Sequence, residues 1–153
     1  MKRVIMILAV LLTTLTVFSQ NRILSVNDYV VSEALKEVLS QSQIEKMRTE
    51  DPVTLLTMNR TIEAYSLVIY KLWDEDFVQM GYLEDYLPAG MKYSEDQIIE
   101  ASFINPYKWK LPQNDTKYNL FKLRKSGVYV VVMPKDELEE RVNAHLRQYG
   151  LTK

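Results

Sequence analysis

Two stretches of the chain concentrate the side chains that could do chemistry. Residues 107–125 hold Lys108, Lys110, Lys117, Lys122, Arg124 and Lys125 against Asp115 alone. Aromatic rings are interleaved with the charges, as in Tyr107-Lys108-Trp109-Lys110. Rings inside a basic rim suit two tasks: docking an acidic protein surface, or gripping a glycan or another anionic envelope polymer by stacking and charge. The candidate binding residues are therefore Tyr107, Lys108, Trp109, Lys110, Lys122 and Arg124. The same lysines could instead guard an edge strand against pairing with other chains. They could also pair with the acidic stretch of the same fold.

That acidic stretch lies just upstream. Asp74, Glu75, Asp76, Glu84, Asp85, Glu95, Asp96 and Glu100 stand there against Lys92 alone. Carboxylates at such density suggest a cation site, or an acid–base pair for glycan hydrolysis. The calcium-loop template fails, because Val78 stands where an oxygen ligand belongs and no glycine follows. A glycosidase pair is defined by separation in space, which spacing along the chain does not give.

Other chemistries have little to work with. There are no cysteines, which excludes disulfides, thiolate zinc sites and cysteine nucleophiles. His145 is the single histidine, so no site can use two imidazoles. As a general base it would need an orienting carboxylate and a nucleophile, and no spacing supplies them. Glycine-rich phosphate loops, G-x-S-x-G and H-E-x-x-H are absent from the sequence. No catalytic residue, metal ligand or cofactor is assigned, and nothing marks an enzyme. Asn59-Arg60-Thr61 and Asn114-Asp115-Thr116 match the glycosylation acceptor pattern, the first of them on an expected buried helix.

The elements that must position these residues read as α+β. Over 27–39, apolar residues at helical spacing predict one helix. Ser42 with Glu45 reads as a capping box for a second, short helix ending near Arg48. Asp51 as cap and Pro52 at the first helical position start a third, because proline lacks only a donor that would be unpaired there. Its continuation at 66–73, SLVIYKLW, is rich in β-formers and could be helix or strand. Residues 74–117 hold Pro88, Pro106 and Pro112 and read as loops with one short helix after Ser94. YNLFKLR and VYVVVM, joined by Lys125-Ser126-Gly127, predict a β-hairpin. VYVVVM is apolar on both faces and belongs inside a sheet. A third strand would come from 66–73 or from the segment around Phe103 and Ile104. Pro134 stops the hairpin, and a last helix carries Leu138, Val142, Leu146 and Tyr149 on one face and ends at Gly150.

Ahead of these elements lies an address. Lys2 and Arg3 precede an apolar run of 14 residues, 4–17, and Val17 and Ser19 are placed for a cut before Gln20. That is the pattern of a secretory signal peptide over 1–19, leaving one globular domain at 20–153. The run is shorter than the roughly 20 residues of a spanning helix, so no membrane span is expected after cleavage. The remaining chain has 17 basic and 20 acidic residues and no long basic run, so affinity for nucleic acid is not expected.

Three segments carry a resemblance. They are Val17-Phe18-Ser19-Gln20, the stretch SQIEKMRTEDPVTLLTMNRTIEAYSLVI, and the stretch INPYKWKLPQNDTKYNLFKLRKSGVYVVV. Together they resemble small uncharacterised secreted proteins of the Bacteroidota. The resemblance implies an envelope location, periplasmic, outer-membrane-associated or secreted. It implies no activity and carries no functional residue over. The reading that results is an exported, non-enzymatic accessory protein docking through residues 103–125. A glycan- or polymer-binding module comes next, and a carboxylate hydrolase last.

Overall fold

The computed structural model describes residues 23–73 and 76–152. The signal peptide expected over 1–19 lies outside the described residues, as do Asp74 and Glu75 of the acidic stretch. The fold is α+β, with five α-helices and a four-stranded sheet among the described residues.

The single helix expected over 27–39 does not form. The chain makes one 3-10 turn, Val26–Asp28, then runs extended to Ser32 before α1 (Glu33–Lys36). Ser32 explains the break. Its hydroxyl accepts the Leu35 N–H at 3.3 Å, and its own N–H donates to the buried Asn59 carboxamide at 2.8 Å. A residue held in cap geometry cannot sit mid-helix. Val30 is consequently 83% exposed, while Val31 and Leu35 are buried.

α2 (Gln41–Glu50) begins earlier than expected. Its capping box is Ser40 with Gln43, not Ser42 with Glu45. Leu39, just before this cap, and Ile44, at the fourth helical position, belong to the same apolar cluster. That contact is a hydrophobic staple, and a cap at Ser42 would have put Gln41 and Lys46 in its place. α3 (Pro52–Tyr65) starts as read from the sequence, with Asp51 Oδ1 accepting the Thr54 N–H at 3.1 Å. It passes into β1 (Ser66–Ile69) with no loop, which resolves 66–69 as strand.

The sheet order is β1-β4-β3-β2, with β3 (Asn119–Lys122) and β4 (Tyr129–Val132) forming the expected hairpin. β4 is internal and pairs antiparallel with β1 and β3, matching Val130 with Val68 and with Phe121. The third strand is thus β1. Phe103 and Ile104 add no strand but close its outer edge. Val68 N–H donates to Ser102 O at 3.0 Å, and Ile104 N–H donates to Ser66 Oγ at 2.8 Å. β2 (Val78–Tyr82), not expected from sequence, pairs parallel with β3. Its register shifts between Gln79 and Gly81, where Gly81 adopts φ +95°.

One face of the sheet packs Phe121, Val130 and Val132 against Leu83, Ile98, Ile104 and Leu111. The irregular middle therefore supplies the cover of that face, with α4 (Glu95–Ala101) as its one α-helix among the described residues. On the other face Ile69, Leu120 and Val131 lie against Phe77 and Tyr118, and Trp73 stacks edge-on against Phe77 at 5.1 Å. α5 (Lys135–Gln148) packs Val142 and Leu146 on Leu56 of α3. Its first N–H groups, of Lys135 and Asp136, donate to the backbone carbonyls of Asn114 and Asp115.

The two overlapping capping boxes can be told apart by unfolding in urea. Ser40→Ala is expected to cost about 1 kcal/mol. Ser42→Ala should stay within about 0.5 kcal/mol of the parent.

Candidate functional site

The turn at 105–110 is built by one asparagine. Asn105 Nδ2 donates to Ala34 O at 2.9 Å, and its Oδ1 accepts the Tyr107 N–H at 3.1 Å. Its backbone carbonyl accepts the N–H groups of Lys108 and Trp109 at 3.1 and 2.9 Å. Just beyond the turn, the Tyr65 hydroxyl donates to Leu111 O at 3.0 Å and accepts the Leu111 N–H at 3.2 Å. These bonds tie the turn to α1 and to the α3–β1 junction.

The six expected binding residues do not share one surface. Tyr107 is exposed on the turn. Lys108 is ion-paired with Glu37 beyond α1. Trp109 turns inward, half-buried against the core, with its ring edge-on to Tyr93 at 6.1 Å. Lys110 is exposed and makes no ion pair among the described residues. Lys122 is exposed on the face of the sheet opposite Phe121, by strand alternation. Arg124 lies 4.0 Å over the Tyr82 ring and bonds Asp85 at 3.0 Å.

The turn divides two grooves that share no lining residue. One, of about 420 Å³, has Tyr107, Lys110 and Lys135 around Leu111 and Leu138. Burial raises the Tyr107 hydroxyl pKa, and a hydrogen bond with Thr61 opposes the rise. The other groove, of about 330 Å³, lies between α1, α4 and the turn, with Trp109 and Lys108 on one side.

The acidic stretch is largely taken up by the basic one. Glu95 Oε1 and Oε2 accept the N–H groups of Lys125 and Ser126, each at 2.7 Å. Glu84 Oε1 accepts the Arg124 N–H and the Tyr93 hydroxyl, each at 3.0 Å. Asp76 pairs with Lys117 and Asp85 with Arg124. Burial pushes the Glu95 carboxyl up, but the turn's N–H groups outweigh it and hold the pKa at about 2. Part of the charge segregation seen in the sequence is therefore internal complementarity, through two ion pairs and the backbone donors that Glu84 and Glu95 take. The lysines guard no edge, since β3 is interior, and the hairpin has no free side for strand addition.

His145 sits between Tyr29 and Tyr149, with ring centroids at 5.8 and 5.3 Å. Its Nε2 is buried without a hydrogen-bond partner. Burial, then Arg60, lower its pKa, while Glu63 opposes them. Asn59 is fully buried, and its carboxamide meets Ser32, Tyr29 and Glu63, which leaves no room for a glycan in the folded chain. In the sequence Asn59 reads as an acceptor motif, and its place as a lone asparagine within an apolar helical face is the signal of its buried role. Among the described residues, no group of three or more acidic or histidine side chains could hold a metal ion, and no helix is long and apolar enough to cross a membrane. No protein-family model, no curated protein and no solved structure matches the chain.

Trp109→Ala is expected to lower unfolding stability by about 2 kcal/mol, because the indole packs on the core. Glu95→Gln should cost about 2 kcal/mol at neutral pH. A carboxyl held at about 2 rather than its usual 4.5 contributes stability that is complete above 4.5 and is lost as pH falls through about 2. Acid titration of unfolding should show this loss in the parent and less of it in Glu95→Gln.

Proposed function

We propose that this is an exported envelope protein that acts by docking onto a partner protein, through the groove beside Tyr107. One observation carries the reading. Tyr107 is exposed next to Lys110, which makes no ion pair among the described residues, above the apolar Leu111 and Leu138. The neighbouring cations Lys108, Lys117, Arg124 and Lys135 instead form ion pairs within the fold, all of them solvent-exposed. A partner that fits presents an apolar side chain beside a carboxylate. The apolar group enters the groove, the carboxylate meets Lys110, and the Tyr107 ring covers the contact. Aromatic anchors beside a matched charge are where interface energy concentrates. The apolar run and cut site at 1–20 support export. A continuous basic track, which an anionic polymer would follow, is not formed, because Lys122 lies on the opposite face of the sheet from Phe121 and Arg124 sits over Tyr82. For that reason the protein partner is preferred to a glycan or polymer.

The test is crosslinking of whole cells carrying the tagged full chain, followed by fractionation. The expected result is one stoichiometric adduct in the envelope fraction, reduced about fivefold or more by Lys110→Glu and by Tyr107→Ala. Both variants should unfold at the parent's temperature. An adduct indifferent to both substitutions overturns the docking surface, and recovery of the chain only in the cytoplasm overturns export.

A further inference from the structure

The second groove carries a separate inference, independent of the docking surface. Its floor is apolar: Ile98 and Ile104 are almost completely buried beneath it. Phe103 and Trp109 contribute rings, and the small side chains of Ala34 and Ala101 leave the space open. At its rim stand two opposite charges, Glu37 and Lys108, paired with each other across 71 positions of sequence.

Three features fix the chemistry of an occupant. The volume, about 330 Å³, is at the small end of ligand sites, which commonly span about 300–1,000 Å³. It suits a single small molecule. The floor calls for an apolar group. The rim calls for two charges, because a ligand with one would take either Glu37 or Lys108 and leave the other without a partner. A ligand carrying both an ammonium and a carboxylate converts one ion pair into two. The exchange costs little. The Glu37 and Lys108 side chains are 55% and 43% exposed, and an ion pair so exposed is worth at most about 1 kcal/mol.

We propose that this groove binds an apolar α-amino acid, with its ammonium on Glu37, its carboxylate on Lys108 and its side chain against Ile98, Ile104 and Trp109.

Trp109 makes the site readable. In a Trp73→Phe background it is the only tryptophan of the chain. The experiment titrates this protein with L-leucine and follows indole fluorescence. A saturable change is expected. Leucinamide, lacking the carboxylate, 4-methylpentanoate, lacking the amine, and glycine, lacking the side chain, should each bind about fivefold or more weakly. Glu37→Gln and Lys108→Met should weaken L-leucine to a similar degree, with the unfolding temperature unchanged. Ala101→Leu, which fills the groove from the end of α4, should abolish the response in a protein that still unfolds cooperatively. Absence of a saturable change up to about 10 mM L-leucine overturns the proposal. So does equal binding of the single-charge analogues, or binding indifferent to Glu37→Gln and Lys108→Met.

Discussion

Lys125 and Ser126 occupy the turn of the β-hairpin, and their N–H groups are taken by the two oxygens of Glu95. Much of the molecule hangs on this bidentate bond. Glu95 opens α4, so the bond sets that helix over the sheet and places Ile98 on the hairpin core. Glu84 repeats the device one residue earlier, on Arg124, and draws Tyr93 in with it. Tyr93 in turn meets the Trp109 ring. A segment poor in regular structure is thereby fixed, because carboxylates hold backbone donors that the hairpin leaves unpaired. Charge-assisted bonds of this kind are stronger than neutral ones. They also need no continuous secondary structure around them.

Elements whose cause is local were legible in the sequence. Asp51 and Pro52 start α3 by capping chemistry alone, and the hairpin and α5 follow from alternation, a glycine turn and a proline stop. Elements whose cause is distant were not. α1 is shortened because Asn59, 27 residues on, takes the Ser32 N–H. β2 exists because β3, some 40 residues later, offers a parallel partner to VQMGY, whose short alternation of Val78, Met80 and Tyr82 is weakened by Gly81 and by the lack of a β-branched run. The capping box of α2 is an intermediate case. The sequence points to Ser42 with Glu45, and the Leu39–Ile44 contact selects Ser40 with Gln43 instead.

The candidate site divides in the same way. That the 107–110 stretch combines rings with cations is plain from the sequence. Which ring faces solvent and which cation is already engaged is not, because the partner of Lys108 is Glu37 and the neighbour of Trp109 is Tyr93. Composition presented a single basic, aromatic surface. Packing turned it into two unlike grooves on either flank of one turn, and placed Lys122 on the far face of the sheet.

The passage from Tyr65 to Ser66 has no intervening loop. Helix rotation and strand register are therefore one geometric variable, not two. Adding or removing a single residue in α3 would turn β1 over, exchanging the faces of Leu67 and Val68 and misaligning Ser66 with Val132. It would also carry Ser66 away from Ile104, whose bond closes that side of the sheet. The length of α3 is thus as constrained as its buried side chains, Leu55, Leu56, Asn59, Ile62 and Tyr65 among them. A change of length is better absorbed in the loops that join the remaining strands.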